Sequence, residues 1–273
     1  MNIFQNAQHL PHTRSKEIVT PLGIAGGVGK TTFMIAAIEA YINHGGQPAV
    51  FTGDINHNEL VRLFNATSFD VRTDGSSYIN AAQANALKIF IDTPAAFVDI
   101  FNDIFGNVDT VLAAWEMADA MPFFVIPVAT NDKCIKTLSR VATLFSDVSG
   151  DYRFIFALNE GLMTDKAKLL KDFYAHDFVQ AEVAAGRATT VKITTKFTPA
   201  FSAILKDQSL RQFIKGDGNL MEKVLAHDFL RKTDDQFTSI LKLTSVDNTT
   251  PLEKAMGVNV SEQSGLIPPK SKK

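Results

Sequence analysis

Gly26-Gly27-Val28-Gly29-Lys30-Thr31-Thr32 follows the apolar run Ile18-Val19-Thr20-Pro21-Leu22 and precedes a helix-like stretch from Phe33 to Ile42. Glycines let a backbone wrap closely round phosphate groups with successive N–H groups turned inward, and a helix N-terminus behind them adds positive potential. A lysine in the next position reaches the outer phosphates, and the hydroxyl after it offers an oxygen to Mg2+. This is the chemistry of a polyphosphate cradle. In the usual spacing a glycine opens such a loop five positions before Gly29; here Ile24 stands there, followed by Ala25. Isoleucine tolerates positive φ poorly, so the loop entry is expected to differ from a glycine version. Lys30 is expected to point into a solvent-filled loop, where its removal abolishes phosphate binding without harming the fold.

Two aspartates end apolar runs downstream, in Val50-Phe51-Thr52-Gly53-Asp54 and in Phe90-Ile91-Asp92-Thr93-Pro94. A carboxylate at a strand end beside a phosphate loop can hold Mg2+ through water or position a water for attack. Taken singly, each is better read as a turn or helix cap; the pair, in order behind the loop, favours the functional reading.

The elements that must position these residues read as strands at Glu17–Leu22, Pro48–Thr52, Leu87–Ile91, Pro122–Val128 and Tyr152–Leu158, with a weaker one at Ala188–Thr194. Most are continuous apolar runs, as suits strands covered on both faces. Helical patterns separate them at Thr31–His44, Asn58–Phe64, Phe97–Phe105, Asp109–Ala120, Lys133–Phe145 and Thr164–Gln180, and two later helices are expected at Thr198–Lys215 and Leu220–Leu243. Strand alternating with helix predicts an α/β fold, a doubly wound, mostly parallel sheet with flanking helices, its ligand at the carboxyl ends of the strands. Residues 1–16 read as a polar lead-in, 17–243 as the phosphate-loop domain and 244–273 as a flexible, basic tail.

The chain has 273 residues and a net charge of −2, so no global positive charge draws it to nucleic acid. Its one cysteine, Cys134, excludes a disulfide framework and suits a reducing cytoplasm. The six histidines lack metal-like spacing, and the many phenylalanines read as core. No run reaches the roughly 18 apolar residues of a membrane span. The sequence after Thr244 lacks the amphipathic basic helix that membrane docking needs, so no membrane partner is expected.

The loop, with Asp54 and Asp92-Thr93-Pro94, resembles that of the deviant Walker-type ATPases, which include the ParA partition proteins, the MinD cell-division regulator and ATPases of plasmid-stability and conjugal-transfer operons. Their loop reads Lys-Gly-Gly-Val-Gly-Lys-Thr-Thr, matched here except for the first lysine, which is Ala25. The likeness runs from about residue 17 to 215 and implies a P-loop NTPase fold similar to the SIMIBI class, with ATP and Mg2+ as cofactors. By this resemblance Gly26 to Thr32 hold the phosphates, Lys30 bridges β- and γ-phosphates and Thr31 binds Mg2+. Asp54 positions the attacking water and Asp92 supports Mg2+ through water. The family's second strand ends Asp-x-Asp-Pro; here Thr52-Gly53-Asp54-Ile55 keeps only the second aspartate. Asn159, closing the run Arg153-Phe154-Ile155-Phe156-Ala157-Leu158, stands where the family reads the adenine edge; the plainer alternative is a loop asparagine satisfying a turn. The stretch Thr194 to Ala200 is a candidate to close over the base.

In the family, the lysine missing here crosses a nucleotide-sandwiched dimer to the partner's phosphates. Alanine cannot, so hydrolysis is slow, another cation substitutes, or nucleotide binds without the usual switching. Lys133, after Asn131-Asp132, is one candidate substitute, although a solvated lysine at a helix start is the plainer reading. The resemblance implies an ATP-dependent switch in plasmid or phage DNA partition or stability, with a homodimer, a DNA-bound adaptor and nonspecific DNA as partners. Lys192, Lys196, Arg211 and Lys215 could form the basic face. Alternatives are a conjugation or mobilisation accessory ATPase of the same family, a nucleotide-binding structural protein that no longer hydrolyses ATP, and a metabolic P-loop enzyme, for which no substrate-binding cluster is visible.

Overall fold

β-branched and aromatic residues dominate the central strands, and alternate residues of each serve opposite faces. Ile18 and Val19, Ile89 and Phe90, and Phe123 and Phe124 each split between two separate apolar clusters. The sheet is therefore covered on both sides, which explains why the strands read as unbroken apolar runs. The computed structural model describes residues 10–56, 59–193, 208–216 and 219–241.

The strands are β1 (Lys16–Pro21), β2 (Ala49–Thr52), β3 (Thr67–Ser68), β4 (Lys88–Asp92), β5 (Ala120–Val128), β6 (Arg153–Asn159) and β7 (Ala188–Ile193). They form one sheet in the order β3-β2-β4-β1-β5-β6-β7, every pairing parallel. Strand order reverses about β1, which lies between β4 and β5, and a crevice opens beyond the carboxyl ends there. The helices are α1 (Lys30–Asn43), α2 (Glu59–Phe64), α3 (Gly75–Asn80), α4 (Phe97–Phe105), α5 (Val108–Met117), α6 (Asn131–Leu144), α7 (Lys166–Ala175), α8 (Asp177–Ala184), α9 (Leu210–Lys215) and α10 (Leu220–Ile240).

One face packs α1, α9 and α10 through Phe33, Ile38, Phe213, Phe229 and Phe237. The other packs α4 to α8 through Phe97, Trp115, Phe145, Phe173 and Val179. Cys134 faces the second cluster, where burial pushes its thiol up to about 12. Among the described residues no helix is long and apolar enough to cross a membrane.

Several boundaries differ from the sequence reading. The helix expected over Thr164–Gln180 is two helices broken at His176, whose backbone is extended (φ −72°, ψ 124°). The helix expected to reach Ala120 ends at Met117; Asp119 takes a left-handed φ of 55° and β5 begins at once. β3 and α3 escaped notice because one is a two-residue exposed edge and the other is six residues long, started by the Asp74 carboxylate accepting from the Ser77 amide. Of the expected Thr198–Lys215 helix, the described residues begin at Gln208, and the helix itself starts only at Leu210, where the Ser209 hydroxyl caps it by accepting from the Gln212 amide. The tail from 244 and the stretch Thr194 to Ala200 lie outside them.

Two polar ties fix α1 against the C-terminal helices. The buried Glu39 carboxylate pairs with Arg211 of α9 at 2.6 Å. Asp234 of α10 accepts from Asn43 at 3.3 Å and lies 2.9 Å from the His44 ring. Burial pushes the Glu39 carboxyl above its ordinary value, against the pull of Arg211. Arg211 therefore points inward and does not belong to a basic face; Lys192 and Lys215 are exposed, and Lys196 lies outside the described residues.

Removing one member of a buried ion pair leaves an uncompensated charge. Arg211→Met should destabilise the fold by about 3–5 kcal/mol in urea unfolding. The loss should be larger at pH 8 than at pH 5, because a carboxyl raised by burial regains stability as it protonates. The double variant with Glu39→Leu should recover most of that loss.

Candidate functional site

Pairing between β1 and β4 runs from Glu17 with Lys88 to Val19 with Phe90, and Thr52 of β2 pairs with Asp92. The carboxyl ends of β1, β2 and β4 therefore come level. The backbone leaves β1 through Gly23 to Gly29 and enters α1 at Lys30. Gly27 and Gly29 take φ of 70° and 96°. At Gly29 the left-handed φ favours glycine, and a Cβ there would lie 2.2 Å from the Asn159 amide nitrogen, which would have to move. Ile24 and Ala25 are absent from the positive-φ residues, and Ile24 packs against the apolar cluster.

Lys30 is buried rather than solvent-directed as the sequence suggested, and its ammonium donates to the Ala25 carbonyl at 3.2 Å. Burial lowers its pKa, while the nearby charges of Asp92 and Asp54 raise it. Thr31 donates its hydroxyl to Asp92 at 2.9 Å. The other oxygen of Asp92 accepts from the Thr93 amide at 3.0 Å, and the Thr93 hydroxyl donates to the Pro21 carbonyl at 2.6 Å, stitching the end of β4 to that of β1. Burial pushes the Asp92 carboxyl up to about 6, despite the Thr31 hydrogen bond and the charge of Lys30. Asp54, also buried, accepts from the Asn56 amide at 3.0 Å, the side-chain turn that shapes the loop after β2.

Lys30, Thr31, Thr32, Asp54 and Thr93 line a cavity of about 230 Å³ together with Gly26, Gly27 and Gly29. A larger hollow of about 570 Å³ lies at the amino ends of β1 and β4, lined by His12, Glu17 and Lys88 among others. The smaller cavity is the better candidate because it sits at the strands' carboxyl ends, against the glycine loop and the start of α1. The Thr31 hydroxyl and the Asp92 carboxylate are hard oxygen donors side by side, which fits Mg2+, an ion that keeps most of its waters.

The structure thus brings Gly26, Gly27, Gly29, Lys30, Thr31, Thr32, Asp54 and Asp92 together. Val28 is buried beneath the loop. Asn159, at the end of β6, lies against Gly29 and is not among the residues lining the cavity. The sequence reading missed Glu59, which lines the cavity from the start of α2 with a buried carboxylate oxygen that has no hydrogen-bond partner. It also missed Ala96, held at φ 60° just after the Asp-Thr-Pro turn; a left-handed alanine beside a site is local strain. Glu59 had no periodic or motif signal, since only the fold places α2 beside the loop. Lys133, in the first turn of α6, donates to the Gly26 carbonyl at 3.3 Å.

The chain matches no protein-family model, and no curated protein matches it. It is similar to several solved structures. One is the ATP complex of a variant of McdA from Cyanothece, at 15% identity over 86% of this chain and 100% of that one, with a TM-score of 0.48. Another is the MinC:MinD cell division protein complex from Aquifex aeolicus, at 14% identity over 85% and 98%, TM-score 0.46. A third is a proposed plasmid partition protein from Borrelia burgdorferi B31 bound to AMPPNP, at 12% identity over 83% and 99%, TM-score 0.47. The functional reading rests on the site's own geometry.

Asp92 titrates near 3.8 when unperturbed and near 6 in the fold. The folded protein therefore holds this proton more tightly, and stability is gained as pH falls from about 6 toward 3.8 and is lower above that window. Asp92→Asn should accordingly raise the stability of the nucleotide-free protein at pH 7.5 by about 1–3 kcal/mol. The advantage should shrink toward pH 4.5 in parallel thermal melts.

Proposed function

We propose that this protein is an ATP-binding molecular switch of the ParA type that uses Mg2+ and hydrolyses ATP slowly. The observation that carries the reading is the convergence of Lys30, Thr31, Asp54 and Asp92 from three level strand ends onto one glycine loop. Backbone N–H groups of Gly26 to Thr32 would cradle the phosphates, aided by the N-terminus of α1. Lys30 would turn from the Ala25 carbonyl to the β- and γ-phosphates. Thr31 and, through water, Asp92 would hold Mg2+, which neutralises phosphate charge when bound. Asp54, on the turn shaped with Asn56, would orient a water for attack. Asn159, already packed on Gly29, would read the base with its amide.

Where these groups sit supports a switching role. Asp54 and Asp92 begin the loops after β2 and β4, so a γ-phosphate that engages them orders surfaces its loss would release. The surfaces so ordered would meet a second copy of the chain and a DNA-bound adaptor in plasmid partition or stability, in the cytoplasm. Lys192 and Lys215 remain exposed for nonspecific contact with DNA. Ala25 favours one further reading, nucleotide binding without turnover, because its methyl group supplies no charge to a neighbouring copy's phosphates.

Lys30→Ala should cut ATP affinity at least a hundredfold in equilibrium binding while keeping a cooperative thermal melt, since α1 remains clamped at Glu39 and Asn43. Unchanged affinity would refute the phosphate-loop assignment. Phosphate release measured with ATP, DNA and candidate adaptors separates the two readings: tight ATP binding with no turnover under any of these conditions would leave a nucleotide-binding protein that is not an ATPase.

A further inference from the structure

A helix N-terminus disfavours a positive side chain in its first turn, yet this site has two such lysines. Lys30 is the first residue of α1, and Lys133 is the third of α6. Both ammonium groups turn back onto the same loop, Lys30 to the Ala25 carbonyl at 3.2 Å and Lys133 to the Gly26 carbonyl at 3.3 Å. Lys30 is buried and flanked by Asp54 and Asp92, whereas Lys133 is exposed. Glu59 adds another carboxylate to the same cavity.

The charge count at the cavity is unbalanced. Among the described residues lining it, Lys30 is the one cation, set against Asp54 and Glu59 with Asp92 close by, before any polyphosphate with its own several negative charges arrives. One divalent cation does not offset that sum. A second cation is needed at the loop, and Lys133 already sits there, its flexible four-carbon stem leaving the ammonium able to exchange a carbonyl for a phosphate oxygen.

We infer that Lys133 is the second phosphate-binding cation of this site, supplied by the same chain that holds the nucleotide, and that it distinguishes a triphosphate from a diphosphate. The inference rests on the nucleotide-binding reading above. It removes the need for a neighbouring copy to contribute a cation at the position of Ala25. It also explains how α6, whose first turn lies beside the loop, would respond to the terminal phosphate: the ammonium is pulled off Gly26 when that phosphate is present and returns to it when the phosphate is gone.

The test uses the full chain with Mg2+ and measures binding of ATP and ADP separately for wild type, Lys133→Ala, Lys133→Arg and Lys30→Ala. Lys133→Ala should lose about fivefold or more in ATP affinity, with ADP affinity and melting temperature unchanged, and Lys133→Arg should keep most of the ATP preference. Mixing Lys133→Ala with excess Lys30→Ala, which carries an intact Lys133 on a chain that cannot hold nucleotide, should restore nothing. Restoration in that mixture would overturn the same-chain origin. Equal losses for ATP and ADP would mean that Lys133 only supports the loop, and would overturn its role as a triphosphate contact. ATP binding abolished by Lys30→Ala but untouched by Lys133→Ala would overturn this inference alone, whereas a wild-type protein that binds neither nucleotide would overturn the function proposed above as well.

Discussion

Thr31 and Asp92 are separated by 61 residues in the chain and by 2.9 Å in space. That contact requires β1 and β4 to be neighbours with level carboxyl ends. It also requires the loop after β1 to turn tightly enough for α1 to start directly above Asp92. The Thr93 hydroxyl, donating to the Pro21 carbonyl, holds the level from the other side. If β4 moved by one residue, its side chains would exchange faces and Asp92 would point away from the loop. The register of two central strands is thus the constraint on which the site depends.

Around that contact the protein keeps charges where water is scarce. Lys30, Asp54 and Asp92 are all buried, and burial holds Asp92 near 6 in spite of a lysine and a hydroxyl close by. Charges held where water is scarce are costly unless a partner of opposite sign meets them. The unpartnered oxygen of Glu59 lies at the cavity, and the left-handed Ala96 follows Ala95, which lines it; the fold tolerates local cost at such places.

Rigidity and freedom are divided along α1. Its far half is clamped by Arg211 on Glu39 and by Asp234 beside Asn43 and His44, and its apolar face is packed under Phe229 and Phe237. Its near end carries the loop, where Gly27 has nothing within 4 Å of a would-be Cβ. The helix is thus held firmly behind an open loop.

Much of this was legible in the sequence. Strands covered on both faces announce themselves as apolar runs, and a glycine loop ending in Lys-Thr-Thr has few other uses, so the parallel α/β sheet and the loop with its two strand-end aspartates could be read from residue types and order. Short elements such as β3 and α3, and the break at His176, were not legible, because a few residues carry too little periodicity to stand out. Nor could order along the chain reveal which strands are neighbours. Tertiary structure alone decided that Thr31 meets Asp92, that Arg211 turns inward to Glu39, that Lys30 is buried, that Glu59 joins the cavity and that Lys133 reaches Gly26. Each of these is a contact between segments distant in sequence or a degree of burial, set by strand order and packing, and neither is encoded in any single stretch of residues.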